Sequence, residues 1–396
     1  MTTREHLFPT YAPPPISLVE GKGSWLTDTQ GNRYLDYISG ISVNALGHGH
    51  PDLVGALKDQ AEKVWHLSNM FDVPGQKELA DRYCASCFGD RVFFGNSGSE
   101  AVELALKAAR MYHHANGNPE RINILGFDGS FHGRTYAAVN ASGNKKYLKG
   151  FGPKLPGYTQ LPFADHEALK AAVDDTTAAI LIEPVQGEGG LRPLPDQCLQ
   201  GLRKLCDDEG ILLIYDEVQC GAGRTGKLWA HQWAQGGEPD IMACAKGVGG
   251  GFPMGFCIAT EAVAQHMVVG THGSTYGGNA LAMAVGHAVL DHIGDESFLQ
   301  NVVDVAAEFK AGLESLAQQK FPDMITEVRG KGLLIGFQMN ADYVAGDVKN
   351  MARDHGLLIG SAGDNVVRIA PPLNTTAEEV KIALGKIEDV LAQMRK

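Results

Sequence analysis

Lys246 ends an apolar run, Ile241 to Ala245, and is followed at once by Gly247, Val248 and Gly249 to Gly251. Glycines remove side chains from around the amine. A lysine held out of water has a lowered pKa and can attack a carbonyl carbon to form a Schiff base. A surface lysine before a loop would carry the same local sequence. Asp216 closes a second apolar run, Ile211 to Tyr215. A carboxylate there is near-buried and needs a cationic partner. A protonated pyridine nitrogen would serve, and its proton would make a bound ring an electron sink. A salt bridge to Arg224 is the structural alternative. Gly98 and Ser99 open a helix, where free N–H groups and the helix dipole attract an anion such as a phosphate. An ordinary capped helix has the same pattern.

Arg134 follows Phe131, His132 and Gly133, and Arg368 lies within the apolar stretch Val366 to Pro372. Arginine is the usual fork for a carboxylate, although each could serve a structural ion pair. Glu183 and Glu188 are further candidates, and His132 reads either as a general base or as packing. His48 and His50, in the run Gly47 to Pro51, are metal-ligand residue types. Read without carboxylate or cysteine support, they mark a tight turn before a helix. Cys84 and Cys87 form a CxxC, but no second CxxC or His pair completes a zinc site. They fall within a helical run, Lys77 to Phe88, and read as half-buried structural thiols.

These groups need a scaffold that brings strand ends together. From about residue 76 the pattern is strand, glycine-bearing turn, helix. Strands are predicted at Val92 to Phe94, Ile122 to Phe127, Ala178 to Ile182, Ile211 to Tyr215 and Ile241 to Ala245. These apolar runs do not alternate with polar residues, so both faces are buried, as in a parallel sheet covered by helices. That predicts an α/β fold. Ligands in such sheets bind beyond the carboxyl ends of the strands, where the polar residues above lie. A helix from Glu100 to Arg110 carries a capping box at Ser97 and Glu100 and a Glu103–Lys107 pair. The last part has an amphipathic helix at Val305 to Leu316, strand-like pieces at Gly332 to Phe337 and Val366 to Ile369, and a closing helix with a Thr375–Glu378 box. It reads as a smaller α+β domain. Trp25 to Asp36 reads as two short strands around the turn Asp28 to Asn32. The expected division is 1–50, an N-terminal segment joining the small domain; 51–285, the large ligand-binding domain; and 286–396, the small domain.

The 396 residues are 44% hydrophobic and 20% charged, which describes a globular chain. A net charge of −12 gives no footprint for nucleic acid or anionic membranes. Seven cysteines without a framework, and no apolar h-region in Met1 to Thr10, point to a reduced, cytoplasmic protein with no secretory signal.

The combination resembles the class III (ω-amino acid) aminotransferases of PLP fold type I, from Tyr11 to the end. The diagnostic stretches are Ile211 to Gly226, Pro239 to Gly247 and Gly251 to Gly255. Within the class, Phe131 to Thr135, Glu183 to Gly189, Thr271 to Asn279 and Val367 to Pro372 are most similar to acetylornithine aminotransferases. The resemblance implies pyridoxal 5′-phosphate as cofactor; from the histidines and cysteines above no metal is expected. It implies that Lys246 bonds to the cofactor and shuttles the proton, with Asp216 pairing with the ring nitrogen. Gln219 would bond the phenolic oxygen, and Phe131 would stack on the ring. Gly98 and Ser99 would bind the phosphate, with Thr275 added from the partner subunit of a homodimer. Arg134 and Ser274 would contact the amino-acid substrate. Glu188 would screen Arg368 in one half-reaction and free it for glutamate or 2-oxoglutarate in the other. The activity implied moves an amino group from N-acetylornithine to 2-oxoglutarate, in arginine biosynthesis. Succinylornithine, N-succinyldiaminopimelate, ornithine and 4-aminobutyrate are alternative donors. Ile41, where ornithine aminotransferases carry tyrosine, favours an acylated substrate. An aminomutase of the same class would need no Glu188/Arg368 switch. A non-catalytic scaffold would be expected to lose Lys246 or Asp216.

Overall fold

The computed structural model describes residues 6–395; the first five residues of the Met1 to Thr10 stretch, and Lys396 at the end of the expected small domain, lie outside it. The described chain begins with three short strands, β1 (Leu18–Lys22), β2 (Trp25–Asp28) and β3 (Arg33–Asp36). Asp28 sets the turn between β2 and β3. Its carboxylate accepts the backbone N–H groups of Gln30 at 2.9 Å and Asn32 at 2.8 Å, an Asx turn. Helix α1 (Pro51–Ala61) and helix α2 (Gln76–Ala85) follow, so the helix read from Lys77 stops at Ala85.

The centre contains β4 (Arg91–Gly95), α3 (Gly98–Ala115), β5 (Asn123–Phe127), β6 (Tyr158–Leu161), β7 (Thr177–Ile182), α4 (Asp196–Glu209), β8 (Leu212–Asp216), β9 (Ile241–Cys244) and β10 (Gly255–Ala259). Seven of these elements form one sheet in the order β4-β10-β9-β8-β7-β5-β6. The pairings from β9 through β8, β7 and β5 to β6 are parallel, and β10 runs antiparallel to both of its neighbours. The sheet is therefore mixed and mostly parallel. Strands β6 and β10 escaped the sequence reading; both are short, at four and five residues. In β8 alternate residues leave for opposite faces. Leu212 and Ile214 pack with Ala101, Val102 and Ala105 of α3, while Leu213 and Tyr215 pack with Leu199 and Leu202 of α4. Two buried faces explain the continuous apolar run that ends at Asp216.

The C-terminal part adds α5 (Ala280–Ile293), α6 (Glu296–Ser315), β11 (Ile325–Lys331), β12 (Leu334–Met339), β13 (Leu357–Leu358), β14 (Gly360–Ala362), β15 (Val366–Ile369) and α7 (Ala377–Met394). A four-stranded antiparallel sheet has the order β11-β12-β15-β14. Strand β3 pairs in parallel with β13, so the N-terminal strands share a sheet with C-terminal residues. Helix α6 begins well before Val305, because the Asp295 side chain caps it by accepting the Phe298 N–H at 2.9 Å. The cap of α7 lies one residue later than the Thr375–Glu378 pair: Thr376 and Glu379 exchange both bonds of the box. Glu103 and Lys107 do not pair. Glu103 instead accepts from the Thr135 hydroxyl at 2.5 Å, and Lys107 donates to the Thr271 carbonyl at 2.9 Å. All seven cysteines are free, and burial pushes the Cys87 thiol up to about 12, which makes the CxxC a poor redox pair. No helix among the described residues is long and apolar enough to cross a membrane.

Candidate active site

The carboxyl ends of β4, β5, β7, β8 and β9 surround one cavity of about 330 Å³. It is lined by Gly98 and Ser99 after β4, Phe131 and His132 after β5, Glu183 and Glu188 after β7, Asp216 and Gln219 at the end of β8, and Lys246 after β9. Residues separated by up to 148 positions, Gly98 to Lys246, meet because parallel strands put all their carboxyl ends on one edge.

Lys246 turns off β9 with φ +51°, a left-handed conformation that a side chain adopts at a cost of about 1–2 kcal/mol. Its remaining exposure is to the cavity it lines. Burial drives its pKa from 10.5 down to about 8; Arg368 adds to this, and the carboxylates of Glu188, Asp216 and Glu183 oppose it. A change of that size favours the neutral amine by roughly 3 kcal/mol relative to water. The sequence reading placed a desolvated amine here, and the geometry supplies its cause.

Asp216 is buried, and its partner is not Arg224. The carboxylate meets His132 Nδ1 at 2.8 Å and accepts the Val218 N–H at 3.0 Å. Arg224 points away, to the carbonyls of Leu333 at 3.3 Å and Pro371, and burial lowers its pKa to about 9. Burial opposes a charge on His132, but the bond and the charge of Asp216, helped by Glu183, raise its pKa. Glu183 is buried beside them. Burial pushes it up to about 7, against the pull of His132 and with the push of Asp216. It also holds the loop, accepting the Phe131 N–H at 2.9 Å and the Gly187 N–H at 3.0 Å. Two carboxylates thus share one imidazole, so a cationic group beside Asp216 would balance the cluster.

The helix end is prepared for an anion. Ser97 caps α3 by accepting the Glu100 N–H, and Glu100 folds back onto the Asn96 N–H at 2.6 Å, away from the first turn. A Cβ on Gly133 would lie 2.3 Å from the Ser99 hydroxyl oxygen, and one on Gly98 would lie 2.7 Å from Val218. Close backbone approach therefore requires glycine at both. The Gln219 oxygen is buried with no partner, as is Nε2 of His132. A buried amide left so costs free energy unless a ligand supplies the bond. Gly187 makes room for that amide: a Cβ there would sit 1.7 Å from the Gln219 oxygen. An aromatic ring with a phosphate, a cationic nitrogen and a polar substituent matches these donors and acceptors.

Arg368, on β15 opposite Gly336 of β12, forms an ion pair with Glu188 at the cavity. The other candidates lie outside it. Arg134 stacks over Tyr147, 3.7 Å from the ring centroid, and lines a separate cavity of about 360 Å³ with Tyr11, Tyr136 and Phe151. Ser274 accepts from Asn96 at 3.3 Å, while Thr275 is exposed. Val218, Asn96 and Tyr147 went unnoticed in the sequence. For Val218 a signal existed, since an aspartate closing a strand readily accepts the N–H two residues on and so fixes that residue beside it. Tyr147 had none, because only tertiary structure brings it to Arg134.

One wall of the cavity is strained. Ser39, Gly40, Ile41 and Ser42 all have φ between +48° and +66°, one left-handed turn leading to the cavity-lining Val43. Asp36 holds it, accepting the Ile38 and Ser39 N–H groups at 3.1 and 2.9 Å while its other oxygen meets His48 Nε2 at 2.8 Å. His48 is thus an anchor of this turn. Backbone strain of this kind persists only where the surroundings over-determine it.

The pattern of the aminotransferase class-III family matches residues 8–391. The chain is 58% identical over 391 residues to acetylornithine aminotransferase 2 of Caulobacter vibrioides, covering 98% of this chain and 95% of that one. It superposes on N-acetylornithine aminotransferase from Stenotrophomonas maltophilia with a TM-score of 0.85 at 35% identity, covering 97% of each chain. It superposes on ornithine aminotransferase from Toxoplasma gondii with a TM-score of 0.93 at 31% identity, covering 99% of this chain and 93% of that one. The Toxoplasma structure has partial occupancy of PLP at its active site.

In protein freed of any ligand, the Lys246 amine should react with a lysine-directed acylating reagent with a midpoint near pH 8. The reactive form is the unprotonated one, so its rate rises with pH through the depressed pKa, well before that of exposed lysines. Peptide mass spectrometry across a pH series measures this. Co-titration of Lys246 with the surface lysines would disprove its desolvation.

Proposed function

We propose that this chain, which belongs to the class-III aminotransferases, carries pyridoxal 5′-phosphate at Lys246 and transfers the δ-amino group of N-acetylornithine to 2-oxoglutarate, giving N-acetylglutamate 5-semialdehyde and glutamate. This is a step of arginine biosynthesis. The cofactor, when bound, supplies the electron sink that lets an amino group leave one carbon skeleton and join another. The chain's own residues do the rest. Lys246 Nζ, whose pKa burial lowers to about 8 so that far more of it is unprotonated than of a lysine in water, would hold the cofactor covalently and take and return the proton at the substrate carbon. Asp216, oriented by His132, keeps a proton on the ring nitrogen. Gln219 bonds the phenolic oxygen and Phe131 covers the ring. Gly98 and Ser99 at the start of α3 take the phosphate.

The observation that carries the substrate reading is the Glu188–Arg368 pair in the cavity of Lys246. An ω-amine donor brings its reacting end without a neighbouring carboxylate, and glutamate brings one beside the amine. Paired with Glu188, Arg368 presents no free cation to the first. Uncovering a buried charge costs about 3–5 kcal/mol. Glu188 therefore leaves only when a substrate carboxylate replaces it. The side chain of Glu188 is 32% exposed and that of Arg368 is 5%, so the acid is the partner with room to move. Arg134, held flat on Tyr147, is assigned to the far carboxylate in both halves.

Ornithine is the second donor to weigh, because the fold superposes as well on an ornithine aminotransferase. Ile41 speaks against it: its side chain offers no acceptor to a free α-amine. The reaction class is transamination between two molecules, because an aminomutase has no use for the Glu188–Arg368 pair.

A homodimer would complete the site. Thr275 and Ser274 lie outside the cavity of their own chain, beside residues 65–71: His66 meets Tyr276 with ring centroids 5.1 Å apart, and Asn69 donates to the Ser274 carbonyl at 3.1 Å. Trp65, Met70, Phe71 and Tyr276 are all more than 60% exposed there, a clustered apolar surface that a second copy would cover. Thr275 would then reach the partner's phosphate and Ser274 its substrate. A cytoplasmic location fits the seven unpaired cysteines.

Stopped-flow absorbance of the cofactor in the loaded enzyme, with no acceptor present, tests the activity. N-acetylornithine should convert it fastest among N-acetylornithine, N-succinylornithine, ornithine and 4-aminobutyrate, and 2-oxoglutarate should reverse the change. Faster conversion by ornithine or 4-aminobutyrate overturns the substrate assignment and leaves Lys246 in place. In Glu188→Ala, the ratio of kcat/KM for glutamate to that for N-acetylornithine should rise roughly tenfold or more, the value of one charge-assisted bond. An unchanged ratio removes Glu188 from the switch. Sedimentation velocity should give a dimer; an active monomer with bound cofactor would contradict the shared site.

A further inference from the structure

We propose that His50, Asp52 and His292 form a binding site for a divalent transition-metal ion, zinc above all, outside the catalytic cavity. His50 is the N-cap residue of α1 and Asp52 lies in its first turn, while His292 lies in the last turn of α5. One ligand atom from each lies within 4.8 Å of the other two. Asp52 and His292 already meet at 2.7 Å, and the two imidazole rings lie edge to face with centroids 4.7 Å apart. Ligands at about 2.0–2.2 Å from a tetrahedral zinc ion lie roughly 3.4 Å from one another. His50 would therefore move in by about an ångström, and the Asp52–His292 pair would open by roughly 0.7 Å. Their side chains can do so: Asp52 is 61% exposed and His292 is 33% exposed.

Two further observations point to a cation. Nδ1 of His50 is buried and has no hydrogen-bond partner, so the cluster as it stands leaves a polar atom unsatisfied that a metal bound there would satisfy. The group sits between the carboxyl end of α5 and the amino end of α1, whose dipoles oppose one another, so the charge of the ligands decides. Two neutral imidazoles and one carboxylate carry a net charge of −1.

Imidazole and carboxylate suit zinc, cobalt or nickel better than calcium or magnesium, which take all-oxygen shells. Water would fill the fourth position. The role assigned to the ion is a clamp. The ion would tie the turn Gly47–His50, which follows the strained wall of the active site, to α5.

The plain alternative is an Asp52–His292 ion pair with His50 packed against it, which takes up no metal. Isothermal titration of the chelator-treated, cofactor-loaded enzyme with zinc chloride separates the two. We expect one equivalent bound by the wild type. His292→Ala and Asp52→Asn should each weaken it by at least about tenfold, since even an outer partner of a metal ligand is worth that much. Zinc should also raise the wild-type Tm and leave that of each variant in place, with transaminase rates unchanged. Asp52→Asn keeps the shape of the side chain and serves if His292→Ala fails to fold. No zinc bound by the wild type, or equal uptake by the wild type and Asp52→Asn, overturns the site.

Discussion

The desolvation of Lys246 governs what the surrounding structure has to do. A lysine in water is protonated at neutral pH and cannot bond to a carbonyl carbon. Here the amine follows a central strand, precedes a glycine-rich turn and has a left-handed backbone, and burial, helped by Arg368, lowers its pKa to about 8. The same dry edge cannot hold unpaired carboxylates, so Asp216 must have His132, and Glu183 must be spent on backbone N–H groups and pushed up to about 7. Each buried group is tolerable only because another is placed against it, and that interdependence fixes the loops after β5 and β7 as firmly as the strands.

What could be read from the sequence follows from this physics. The strand ends at Asp216 and Lys246 were legible because a polar residue closing an unbroken apolar run is a local signal, and a parallel sheet turns it into a shared edge. The start of α3 was legible because capping is local. The partners were not. His132 as the mate of Asp216, Tyr147 beneath Arg134 and His292 beside His50 are joined across 84, 13 and 242 positions, and no spacing rule reaches that far. The salt bridge to Arg224 was a reasonable local guess. It was wrong because Arg224 crosses to the carbonyls of Leu333 and Pro371. The one-residue error at Thr375 has the same root. Two threonines in succession offer the same cap, and the choice between them depends on Thr375 bonding Tyr37 at 2.8 Å.

On the function proposed here, charge explains how one cavity would serve two donors. A permanently exposed arginine would attract glutamate and repel nothing, whereas a permanently paired one would bind no second substrate. The Glu188–Arg368 pair avoids both, because the more exposed partner is the one that has to leave and the buried one waits for a carboxylate. The arrangement also acts on Lys246. Arg368 lowers its pKa and Glu188 raises it, so displacing Glu188 without replacing its charge would depress the amine further. An incoming α-carboxylate restores that negative charge as it takes the arginine. If Glu188 gives way as proposed, the charge facing the lysine would change less than the ligand of Arg368 does. A switch made from a neutral side chain could not do this, and that favours an acid at position 188 over a merely steric gate.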